Sequence, residues 1–267
     1  YHSWQQFSLT EDKWLLATKF YQVQGGVALR FHIQGAQRGW HDYIHASSYE
    51  QASAQLEQLL TLLASSNYFV LPSRHAATAE LTLLLNDSPG NELLELQLVK
   101  QLFKLEDLDR AMALIDQQLA DETSRLRQGI LNLTKVTVAL RNQNWLAAQQ
   151  SVESAVEVFN QLGLVQLESA ALFELSWLHL AHGEFRQGQQ VLNQAASMAR
   201  SSKESLQEVT AYIIQSFLAL KSNQLELMYN QIDLAKELIF LHKLGEQHLA
   251  PVYYNLGWFE KSFQQAR

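Results

Sequence analysis

Columns of residues forty positions apart constrain this chain more than any other feature. Trp145, Phe185 and Leu225 keep that interval, as do Ala148, Gly188 and Met228, then Val152, Leu192 and Ile232, then Ala155, Ala195 and Ala235. In the segment before each set, Leu133, Phe173 and Ile213 match, and so do Leu140, Leu180 and Leu220. An earlier copy lies 37 residues upstream, with Leu108, Ala111 and Ile115 in the matching places. Apolar residues three, four and seven apart within a copy predict helix. The polar triplets Asn142-Gln143-Asn144, His182-Gly183-Glu184 and Ser222-Asn223-Gln224 predict the turns between helices. A two-helix hairpin cannot bury its own apolar stripe, so copies must stack, and the expected product is an α-solenoid with a concave face. Small residues in the 148/188 and 155/195/235 columns allow close helix approach. The large residue at 145/185/225 is expected to plug the space beside each turn. Residues 252–266 have the pattern of the first helix of one more unit.

The first 45 residues follow a different period. Val27, Leu29, Phe31 and Ile33 alternate with Ala28, Arg30, His32 and Gln34, which predicts a strand with one buried face. The aromatic and β-branched-rich run from Trp14 to Gln24 reads as the strand before it; Gly25-Gly26 supplies a tight hairpin turn between the two, residues 35–39 a second turn, and Trp40 to His45 a third strand. From Tyr49 to Ser65 the period becomes helical, with Ala52, Leu56, Leu59, Leu60 and Leu63 on one face and Ser47 or Ser48 as N-cap. Residues 86–90 form the clearest breaker cluster in the chain. The expected fold is therefore mixed α+β but mostly α. It has a small amino-terminal β-meander and helix subdomain over 1–75, followed by an α-solenoid of helical hairpins over 76–267. Few prolines (3) and glycines (11) among 267 residues suit long helices better than a loop-rich sandwich.

Composition excludes whole classes of function. There is no cysteine, which removes disulfides, thiol catalysis and cysteine-bound zinc. A net charge of −7 leaves no basic footprint, so no nucleic-acid partner is expected for this chain. No run approaches the roughly 18–20 apolar residues of a membrane helix. Because the sequence opens at Tyr1 rather than Met, it is expected to be an excised or processed piece, with any membrane anchor lying outside it.

A search for catalytic chemistry finds little. His41-Asp42-Tyr43-Ile44-His45 superficially resembles a zinc-protease HExxH string, but that motif works on a helix and this stretch reads as strand. His32 is the nearest third nitrogen, across the hairpin; ordinary edge-strand histidines are the expectation, with no metal and no cofactor. His179 and His182 sit before a helix end, where the dipole favours a cation, and nine histidines leave room for a pH response. No nucleophile elbow, phosphate-binding glycine loop or calcium loop is present. The chain is not expected to be an enzyme.

The string from Asn144 to Ala155 (NWLAAQQSVESA), with Gly183-Glu184-Phe185 and Ala195 in the next copy, resembles the tetratricopeptide repeat. The departures are a period near 40, Gly188 and Met228 where that family has alanine, and no proline closing a repeat. Repeats of this length are similar to those of MalT-type transcription activators. The stretch from Trp14 to Gln34, Gly39-Trp40 and the helix from Tyr49 are similar to the α/β segment of CadC-like regulators. That resemblance implies the periplasmic part of an inner-membrane, one-component transcriptional regulator whose DNA-binding domain and anchor lie elsewhere. A cytoplasmic scaffold or MalT-like regulatory domain is the alternative.

Either way, the implied work is binding. In a solenoid the first helix of each hairpin lines the concavity, which singles out Leu133, Arg141, Phe173, Trp177, Ile213, Phe217 and Lys221. A protein, a peptide or a small signal ligand would lodge in this apolar and aromatic groove, and a homodimer is a further arrangement it allows. The same aromatics at repeat spacing could instead fill the seam between hairpins.

Overall fold

Alternation in the amino-terminal stretch becomes a four-stranded antiparallel meander in the computed structural model, with strands β1 (Ser3–Leu9), β2 (Asp12–Val23), β3 (Gly26–Gln34) and β4 (Gly39–Ala46) in sequential order. The structure describes residues 3–9, 12–121, 124–202 and 205–242. The expected extra helix at 252–266 lies outside them. Gly25 turns the chain at φ +82°, where a side chain would be strained, and Val23 pairs with Gly26 across the turn. On β3 and β4, Leu29, Phe31, Ile33, Trp40 and Ile44 face inward and are buried. Helix α1 (Tyr49–Ala64) covers β3 and β4, capped by Ser48, whose side chain accepts from the Gln51 N–H. It buries Ala52, Leu56, Leu59 and Leu63, while Leu60 is only half-buried. Each of the three buried leucines contributes roughly 1.5–3 kcal/mol on leaving water.

Helices α2 (Arg74–Asp87), α3 (Glu92–Lys104), α4 (Leu108–Asp121), α5 (Arg125–Arg141) and α6 (Trp145–Leu162) follow. The breaker cluster is shorter than the sequence suggests, because α2 runs through Asn86 and Asp87 before the chain turns. After α6 come α7 (Val165–Ala181), α8 (Phe185–Ser202), α9 (Ser205–Lys221) and α10 (Leu225–Leu241). The chain divides into two compact units, residues 1–163 and 164–267.

Four hairpin turns carry the repeat in their backbone. Glu106, Gln143, Gly183 and Asn223 all have positive φ, at 62°, 57°, 81° and 55°. Their spacing is that of the apolar columns. In each turn two main-chain bonds close the helix end. For α5 they run from Gln143 N–H to Leu140 O (3.1 Å) and from Asn144 N–H to Ala139 O (2.8 Å), a Schellman arrangement. The same pair recurs at Glu106/Asp107, Gly183/Glu184 and Asn223/Gln224.

The columns at 148/188/228, 152/192/232 and 155/195/235 are buried throughout. In the second unit, α8 lies so close to α7 that a Cβ on Gly188 would stand 2.6 Å from Leu180 Cδ2. Ser176 Oγ donates to Gly188 O and Ser169 Oγ to Ala195 O, each at 3.0 Å, fixing the pair by side chain to main chain. The column at 145/185/225 departs from expectation at two of its three positions: Trp145 is 42% and Phe185 52% exposed, so they do not plug the turns, whereas Leu225 is half-buried. Trp145 and Phe185 stand at the first residue of their helices, where the chain leaves the turn with least neighbouring chain to cover it.

Within the first unit, the β-meander is bound to the helices that follow. Trp14, Trp40, Tyr68 and Phe69 form an aromatic cluster with ring centroids 4.8–5.9 Å apart. The Tyr68 hydroxyl, fully buried, accepts from Gln97 Nε2 (2.6 Å) and Gln101 Nε2 (3.0 Å) on α3. Among the described residues, no helix is long and apolar enough to cross a membrane.

Candidate functional site

The first helices of the two hairpins in the second unit, α7 and α9, place three of the expected groove residues together. The Trp177 ring meets Phe217 edge-on, with centroids 5.4 Å apart and planes inclined at 66°. Lys221 Nζ stands 5.3 Å from the centre of the Phe217 ring, within cation–π range. Trp177 remains 43% exposed although α7 is buried on most of its circumference. A large aromatic left open on such a helix offers an apolar body and an indole N–H to a partner.

The other expected residues take different roles. Phe173 is buried in the repeat interior, and Ile213 is half-buried against the cluster of Val209, Met228, Ile232 and Ala235. Leu133 and Arg141 belong to the first unit. Leu133 is half-buried there, and Arg141 pairs with Glu106 at 3.3 Å on the surface, where such a bridge contributes little. On α7, burial pushes the Glu174 carboxyl above its usual pKa. Sequence inspection passes over Glu174, since a lone glutamate in a helix carries no signal of its degree of burial.

The His41–His45 stretch is strand, and its two histidines share the outer face of β4 about 13 Å apart at the usual strand rise. That separation is too great for one metal ion. His32 does stand opposite His41 in the strand register, with rings stacked at 6.4 Å. Among the described residues, no three histidine or acidic groups converge as a metal site. His41 is exposed as a residue, yet its ring is desolvated by its surroundings and faced by Lys100, which pulls its pKa well below the ordinary histidine value; Asp42 only partly offsets them.

Asp42 is the residue of this stretch that sequence reasoning undervalued. It points inward between Trp40 and Ile44 and is 2% exposed. Its Oδ1 accepts from the Tyr43 N–H (2.8 Å), and it forms ion pairs with Lys100 of α3 (3.5 Å) and Arg127 of α5 (3.7 Å). Lys100 also donates to the His41 carbonyl at 3.0 Å, covering an open backbone group of this edge strand. The signal was available: strand alternation assigns Asp42 to the same face as Trp40 and Ile44, and a carboxylate there requires cations.

No protein family and no curated protein matches the chain. Among solved structures, the apo form of RapI is similar over 81% of this chain and 85% of its own, at 11% identity and a TM-score of 0.59. The MamA RS-1 ArsTM double mutant is similar over 72% of this chain and 94% of its own, at 14% identity and a TM-score of 0.48. The likeness to RapI concerns the fold alone. The chain is an amino-terminal β-meander followed by helical repeats of the tetratricopeptide-like kind.

Proposed function

We propose that this chain is a non-enzymatic binding module, an α+β head over 1–75 anchored on helical repeats over 76–267, that takes a peptide segment of a protein partner on the α7–α9 wall. The observation that carries the reading is the open Trp177 ring held edge-on by Phe217 with Lys221 beside it. An apolar or aromatic anchor on the partner would cover the indole, and an acidic residue next to it would meet Lys221. Buried aromatic anchors of this kind cost roughly 2 kcal/mol or more when truncated. Within the CadC-like resemblance, the module would be the input domain of a membrane-anchored transcriptional regulator, passing partner binding to a DNA-binding domain elsewhere.

Peptides selected from a displayed library on the wild-type chain test the wall. They should carry an apolar anchor with a flanking acidic residue. Trp177→Ala should lose them, by roughly 30-fold or more in Kd, while its far-UV circular dichroism and melting stay those of the wild type. A Trp177→Ala chain that unfolds would assign the ring to the core, and one that keeps its peptides would remove the wall as the site. For the regulator reading, the coding sequence upstream of Tyr1 should specify a winged helix and an apolar run of membrane length. A nucleotide-hydrolysing domain there would favour the MalT-like alternative.

A further inference from the structure

A second candidate site is built into the first unit. A cavity of about 310 Å³ opens between the end of β4, α1 and the starts of α3 and α5. Tyr43, His45, Gln58, Asn91, Ser124 and Arg127 are among its lining residues. Arg127 is 4% exposed, yet among the described residues none of its three guanidinium nitrogens has a hydrogen-bond partner. Its ion pair with Asp42, at 3.7 Å, is too long to be one. A guanidinium has five N–H donors, and leaving them unmatched in the interior costs far more than a lost surface contact. Asp42 is also shared with Lys100, so the two cations outnumber the carboxylate between them.

Two helix N-termini converge on the same cavity. Asn91 and Ser124 are the N-caps of α3 and α5, each accepting from the third residue on, and Glu92, Leu93 and Leu126 of the first turns line the wall. First-turn amides and the helix dipole make such ends favourable to anions. His45 adds a ring nitrogen, Nε2, that is buried without a hydrogen-bond partner among the described residues. Glu92 is the acidic residue of the lining, but it is exposed and has a partner of its own within the chain.

We infer that this cavity binds a small oxyanion, a carboxylate or phosphate group, received by the Arg127 guanidinium between the N-termini of α3 and α5. A planar guanidinium matches two oxygens of either group. Asp42 then serves to orient Arg127 rather than to neutralise it fully. The cavity volume suits a group of metabolite size, at the low end of small-molecule sites.

Inorganic phosphate and succinate, titrated separately at constant ionic strength with chloride as background, distinguish the two sources of the oxyanion. Binding is read by calorimetry and by the rise in melting temperature. The wild type should bind one equivalent of at least one of the two and melt higher with it. Arg127→Met should lose that binding. Because removing Arg127 leaves Asp42 with one partner fewer, a second variant guards against a failure to fold. Gln58→Glu places a negative charge on the exposed lip of the cavity, keeps the fold and should weaken binding at least fivefold. Absence of binding by the wild type, or binding unchanged in Gln58→Glu, would overturn the assignment.

Discussion

Single side chains decide where charge can sit in this fold. His41 illustrates the sign of the effect. Its folded pKa lies below the ordinary 6.5, toward about 4, chiefly through desolvation and the neighbouring Lys100. The unfolded chain therefore binds the proton more readily, and stability present above pH 6.5 is lost as pH falls below it. His41→Asn should flatten that acid-side decline, measured as urea midpoints between pH 7 and pH 5. A midpoint that falls as steeply in the variant would place the acid sensitivity elsewhere. At this scale the sequence was legible where alternation assigns a face, as with Leu29, Phe31 and Ile33. It was silent where a partner comes from a distant helix. Nothing local connects Asp42 to Arg127, or Tyr68 to Gln97 and Gln101, because those contacts exist only once helices pack.

At the scale of the element, the forty-residue columns foretold the helices and their buried stripes, since a period in sequence is a period in which surface each rod hides. What they could not convey was the turn geometry. Residues 106, 143, 183 and 223 share a left-handed backbone but not a residue type: one is glycine and three are not. A non-glycine residue there costs roughly 1–2 kcal/mol against its preferred backbone. Gln143→Gly should therefore stabilise the chain by about 0.5–1 kcal/mol, read from chemical unfolding. Gly183→Ala should lose a similar amount. A destabilised Gln143→Gly would mean that the glutamine side chain, rather than the backbone, holds that turn. The exposed Trp145 and Phe185 show the other limit of the columns, which register size at a position and not whether a neighbouring rod reaches it.

Across the whole molecule, the change of period near residue 49 marked the passage from sheet to helices correctly, but it did not reveal how firmly the two are joined. The meander rests its aromatic cluster and its buried carboxylate on α3 and α5, and residues 1–163 make one compact unit. A fragment of residues 1–163 should fold by itself, with a single cooperative melt and a circular dichroism spectrum of mixed helix and strand. Residues 1–75 alone should not, because Asp42 and Tyr68 would lose the partners that satisfy them. A cooperative melt from the shorter piece would show that those ties are dispensable. The hairpin joints carry a broader implication. Each is closed by the same two main-chain bonds, whatever side chains it bears, so a joint need not be reinvented when a stretch of gene is copied. Such an architecture can lengthen by duplication first and acquire individual surfaces afterwards.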